Sequence, residues 1–166
     1  MVTTTVVETL APGIEYRLDH LFTYRLGFLV PPEAIGPTPA GLRVNFYFSG
    51  GEFRGPELRG RIRPVGGDWL TVRPDGVAIL DLRTTFETED GALIHAPFTA
   101  VLDLGETGYQ DLIEGRLASD GTPFRSVPRY ETAHPAYRWL NRLQCLGIGQ
   151  VFPSRGEARC DVYAVR

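Results

Sequence analysis

Between residues 50 and 94 the chain is a succession of short apolar-alternating runs, cut by Gly50-Gly51, Gly55-Pro56, Gly66-Gly67, Asp75-Gly76 and Asp90-Gly91. A period of two is the signature of half-buried strands, and the cuts are turn chemistry, so this stretch predicts an antiparallel meander. Asp75-Gly76 and Asp90-Gly91 read as two-residue hairpin turns, because glycine tolerates the positive φ that tight turns impose. Upstream, the run from Leu18 to Val30 places Leu18, Phe22, Tyr24, Leu26 and Phe28 on one parity and Asp19, Thr23 and Arg25 on the other. That asymmetry predicts a sheet with one dry face. Pro31, Pro32, Pro37 and Pro39 fix φ and remove N–H donors, so residues 31–40 read as a loop.

Further strands are expected at 43–48, 58–63, 69–73, 77–88 and 92–104, then at 124–132, 143–152 and 160–165. The segment 104–114 reads as a loop with one helical turn. The convincing helix is short, at 135–141, with Thr132 near its N-cap and Pro135 in its first turn. Eight to ten strands in one chain close into a barrel or pack as a sandwich, since both suppress open edges, and near-sequential hairpins favour the barrel. The expectation is an all-β fold, a single antiparallel β-barrel over residues 15–166, preceded by an arm at 1–14 in which Thr3–Val7 could add an edge strand.

Composition narrows the functions. The 166 residues are 43% hydrophobic with a net charge of −3, enough apolar material for one core and no basic footprint for nucleic acid or membrane. The first residues, MVTTTVVETLAPG, have neither a basic leader nor a long apolar run, so the expected compartment is the cytoplasm, with no membrane partner. Cys145 and Cys160, in a reducing compartment, read as small core hydrophobes rather than a disulfide. No His or Cys lies at metal-ligand spacing and no phosphate-cradling glycine loop opens a helix, so neither metal nor nucleotide cofactor is expected.

Candidate chemistry lies on the strand at 77–88. Asp81, Arg83, Thr85 and Glu87 share one face, with Leu80, Leu82 and Phe86 opposite. One reading is a solvated outer face laced with weak ion pairs. The other turns the polar row inward to line a wet cavity, with the apolar row covered by a helix, a loop or a second copy of the chain in a homodimer. Inward, Arg83 would hold an oxyanion, and Asp81, Glu87 or His95 would move a proton. Arg125, Arg129 and Glu131 would supply a second polar cluster, and Phe22, Tyr24, Phe46, Tyr47 and Trp69 the apolar walls. Asp68, at a Gly-Gly corner, reads first as a turn cap. Trp139 and Asn141 read as a plug at one barrel end.

Several ordered motifs carry a resemblance: GG-x-F-x-G-P-x-L-x-G at 50–60, GGDW at 66–69, RPDG at 73–76, LDLR at 80–83, DGALI at 90–94, WLN at 139–141 and DVY at 161–163. Together they are similar to the domain of unknown function 3237, or UPF0311, family, over about residues 18–165. The resemblance implies a small lipocalin-like β-barrel with an interior cavity, and the recurrence of LDLR in it supports the inward reading. It implies no established activity. After DGALI this chain continues HAPFTAVLDLG where the family often has a Tyr-x-Gly-like pattern, which singles out His95–Thr99. The expectation is a cofactor-independent isomerase, cyclase or lyase acting by proton transfer on a small hydrophobic, aromatic or polyketide-like carbonyl compound. The alternative is a barrel that binds or carries such a molecule unchanged.

Overall fold

The computed structural model describes residues 13–166; the expected edge strand at Thr3–Val7 lies outside them. Ten strands form one antiparallel sheet: β1 (Leu18–Phe28), β2 (Glu33–Thr38), β3 (Gly41–Arg54), β4 (Arg59–Ile62), β5 (Gly67–Val72), β6 (Val77–Thr88), β7 (Leu93–Asp103), β8 (Thr122–Ser126), β9 (Gln144–Phe152) and β10 (Glu157–Val165). The sheet closes on itself because β1 pairs with β10 along one edge and with β3 along the other. Ten strands fill eight positions around the barrel. β4 pairs with the C-terminal half of β3 and β5 with its N-terminal half, the break falling at Arg63–Gly66. β1 and β2 divide the opposite edge of β3 in the same way, with Pro31 and Pro32 at the break.

β2 corrects the reading of residues 31–40 as loop. Its one proline, Pro37, falls where a strand at a free edge tolerates it, since the missing donor there would only face solvent. The hairpin turns also differ from expectation. Only glycines have positive φ among the described residues, at +83° for Gly76 and +86° for Gly91, so neither Asp75 nor Asp90 occupies the left-handed region. The Gly76 N–H donates to the Arg73 carbonyl (3.0 Å), and the Gly91 N–H to the Thr88 carbonyl (2.9 Å). These are three-residue loops ending in a left-handed glycine, one residue longer than the sequence suggested.

Parity decides what fills the barrel. Along β6, Ala78, Leu80, Leu82, Thr84, Phe86 and Thr88 are buried, and the residues between them face outward. Near one end Phe22, Phe53, Phe86 and Tyr130 form an interlocked aromatic cluster with ring centroids 5.0–5.7 Å apart. The expected helical segment follows, as a 3₁₀ helix at Pro135–Arg142, and it closes this end. Its Leu140 is fully buried, and the Tyr137 hydroxyl donates to Asp90 in the β6–β7 turn (2.9 Å). Asn141 accepts from the Thr132 N–H and donates to the Thr132 carbonyl, both at 2.9 Å, satisfying both backbone groups of that residue. The α-helix proper, α1 (Gly108–Ile113), sits in the β7–β8 connection at the other end.

Candidate active site

The end away from the aromatic plug is open. Inside it the walls are Leu26, Phe28, Phe46, Leu70, Leu82 and Phe124, and the space left open to the centre of a water-sized sphere is about 90 Å³, where about 10–15 Å³ suffices for one water. Two polar side chains interrupt this apolar lining, Asp68 and Tyr24.

Asp68 points inward because it shares the parity of Leu70 and Val72 along β5. Its neighbours across the ladders are Phe46 on β3 and Leu82 on β6. Local pairing is rearranged around it. The β5–β6 ladder holds at Gly67 and Asp68, resumes at Thr71, and skips the two residues between. Within this gap the Asp81 N–H donates to Asp68 Oδ1 (3.0 Å), and the Trp69 carbonyl accepts from the Arg43 guanidinium (2.8 Å). The carboxyl thus replaces a ladder acceptor, and the backbone groups remain paired.

Burial pushes the Asp68 carboxyl from 3.8 up to about 7. The Asp81 N–H pulls it back, the Asp81 carboxylate adds to the rise, and the Arg43 guanidinium opposes it. Tyr24 is driven well above its ordinary value, first by burial and further by Cys160, Tyr130 and Asp68, so it remains a neutral hydroxyl donor at physiological pH. Burial likewise holds the Cys145 thiol up at about 11 and Cys160 at about 12, which keeps both protonated and poor nucleophiles. The arrangement therefore offers a carboxyl poised to gain or lose a proton near neutrality, and a phenol lining the same apolar enclosure. This inventory suits proton transfer with hydrogen-bond stabilisation of a developing oxyanion.

The residues singled out from sequence are placed differently. Asp81, Arg83 and Glu87 lie on the outer surface, contrary to the inward reading. Arg83 pairs with Asp81 at 3.3 Å and lies 5.7 Å over the Trp69 ring; Glu87 pairs with Arg61 and Arg63. The reason is volume and solvation. The opposite row carries Leu80, Leu82 and Phe86, which gain by filling the barrel, whereas inward charges would lose their water without compensation. His95, Arg125, Arg129 and Glu131 are exposed, with His95 and Glu131 joined through their backbones at a β-bridge. None of these lines the cavity. Among the proposed walls, Tyr24 and Phe46 face it, Phe22 belongs to the plug, and Trp69 faces outward half-buried. Tyr47 is outside too, donating to Glu33 (2.7 Å). Asp68, which by its Gly-Gly corner reads first as a turn cap, is instead the acid inside the barrel. The usable signal was a lone acid on the apolar parity of Asp-x-Leu-x-Val.

Among the described residues no helix is long and apolar enough to cross a membrane, and no three His, Cys, Asp or Glu side chains converge. Comparison with known proteins gives consistent relatives. A UPF0311 protein of Rhodopseudomonas palustris is 29% identical over 163 residues, covering 94% of this chain and 99% of the relative. One from Bradyrhizobium diazoefficiens is 32% identical over 136 residues, covering 79% and 84%. A solved structure of a conserved protein of unknown function from Rhodopseudomonas palustris superposes with a TM-score of 0.81 at 26% identity, covering 93% of this chain and all of that one. An enzyme from Penicillium herquei shares the fold with a TM-score of 0.70 at 18% identity, covering 94% and 98%. The profile of the family described as protein of unknown function (DUF3237) matches residues 16–165, nearly the whole barrel, and the chain belongs to that family.

Proposed function

We propose that this barrel is an acid–base enzyme that moves a proton next to the carbonyl of a small apolar molecule held in the cavity, as an isomerase, cyclase or lyase would. The observation that carries the reading is Asp68, a buried carboxyl among apolar walls whose proton equilibrium is lifted to about 7. A general acid or base works best when its pKa lies near the operating pH, and burial is how a carboxyl is brought there. In this mechanism the Asp68 carboxylate takes the proton from the carbon next to the carbonyl. The electrons move onto the carbonyl oxygen, the Tyr24 hydroxyl donates a hydrogen bond to it, and Asp68 returns the proton at the same or a neighbouring carbon. The apolar walls exclude water, which strengthens both interactions. An enzyme from Penicillium herquei has this fold, which is compatible with catalysis here.

The test is solvent exchange. Apolar ketones and enones incubated with the protein in heavy water should take up deuterium at the carbon beside the carbonyl, read by mass spectrometry. Asp68→Asn should slow uptake by about 10²–10⁴-fold, the usual weight of a general acid–base. The second reading, a carrier barrel, is favoured by the same apolar enclosure. Ligands that bind tightly but exchange no deuterium would establish it in place of the enzyme.

A further inference from the structure

The polar groups of the cavity are at its floor, and its mouth is apolar. Along β1 the inward side chains run from Tyr24 through Leu26 and Phe28 towards Val30, from the plug to the open end. Directly beneath Tyr24 lies the Phe86 ring, 6.1 Å between centroids, and Phe86 is locked against Phe22 at 5.7 Å. Asp68 pairs across the sheet with Leu82, the deeper of the two β6 leucines that line the space. Among the described residues no polar side chain above these two groups faces the cavity. At the mouth Val30 is 64% and Leu117 44% exposed, although both line the cavity.

Resting on the reading of Asp68 and Tyr24 as the reacting groups, we infer that the substrate is a neutral amphiphile with a single carbonyl at one end, bound carbonyl-first, its apolar body reaching the mouth. A carbonyl in mid-chain cannot reach Asp68 and Tyr24 unless the carbons beyond it displace Phe86 from a close-packed cluster. A second polar group on the body would be stripped of water against the walls and find no partner. An anionic head is disfavoured, because it would face Asp68 in a site that already resists charge. An apolar tail covers the parts of Val30 and Leu117 that the protein leaves to solvent.

Two isomeric ketones separate this from any general greasy pocket. 2-Undecanone and 6-undecanone have the same formula and differ only in where the carbonyl sits. Calorimetric titration at pH 6 should show 2-undecanone binding about tenfold or more tightly, the cost of a buried carbonyl without its donors. Tyr24→Phe should shrink that preference while leaving 6-undecanone unchanged. Lengthening the ligand from 2-heptanone to 2-undecanone should gain up to about fourfold per carbon, and Leu117→Gln should flatten the gain. Equal affinity for the two isomers, or no binding of either, overturns the inference. Isomer preference without Asp68-dependent deuterium uptake leaves it standing and removes the acid–base reading. Deuterium uptake equal for both isomers does the reverse.

Discussion

Replacing Asp68 by Asn should stabilise the protein, and increasingly so as pH rises. Asn keeps an oxygen to accept from the Asp81 N–H and removes the ionisation. In the native protein the carboxyl holds its proton up to about pH 7, whereas unfolded it releases it near 3.8. The native state therefore binds the proton more tightly. The associated stability is fully present below 3.8 and is lost as pH rises to about 7, beyond which the native carboxyl also ionises and the loss levels off. At ~1.36 kcal/mol per pKa unit the whole loss is of order 4 kcal/mol, and roughly 3 kcal/mol of it falls between pH 5 and pH 8. Urea unfolding at half-unit pH steps should show the wild type weakening across this window and Asp68→Asn holding level from this group. At pH 8 the variant's Tm should exceed the wild type's by roughly 6–12 °C more than at pH 5. Tyr24, which lines the same space, stays a neutral hydroxyl across this window because burial raises it well above its ordinary value. Stability curves that run parallel for the two proteins between pH 5 and 8 would mean that Asp68 ionises like an exposed carboxyl and is not held up by burial.

Tyr24→Phe retains the ring against Phe86 and deletes the donor, so turnover should fall about 10²–10³-fold in the exchange assay while the fold persists by circular dichroism. Arg83→Met, on the outer surface, removes an exposed ion pair with Asp81; exchange rates should stay within about twofold and stability within about 1 kcal/mol by urea titration. Phe86→Ala opens a void in the plug and should cost about 3–5 kcal/mol in the same measurement. Asn141→Ala strands the Thr132 N–H and carbonyl, and should lower stability by about 1–3 kcal/mol.

Alternation and turn chemistry carried the closed barrel, because every hairpin must put its apolar parity on one side whatever the partner. Glu33–Thr38 escaped because its strand character comes from pairing with β3, and its own residues, two of them Gly36 and Pro37, argue against it. The site was less legible for a different reason. Asp81, Arg83 and Glu87 form a conspicuous polar row, but a row of charges is what a solvated face looks like, and their partners Arg61, Arg63 and each other lie on that same outer surface. Asp68 stood alone in an apolar row beside a Gly-Gly corner. Turn capping explains an Asp at a corner, but not one that shares parity with Leu70 and Val72. The depth of the cavity floor depends on which aromatic rings meet across the barrel, namely Phe22 from β1, Phe53 from β3, Phe86 from β6 and Tyr130 from the segment after β8. That is set by closure rather than by any local pattern.

The most direct test of the account is the protonation of Asp68 itself, followed by the ¹³C shift of its carboxyl carbon as pH is varied. The midpoint should lie near 7, be displaced when 2-undecanone occupies the cavity and be absent from the spectrum of Asp68→Asn. A midpoint near 4, unmoved by the ketone, would contradict this.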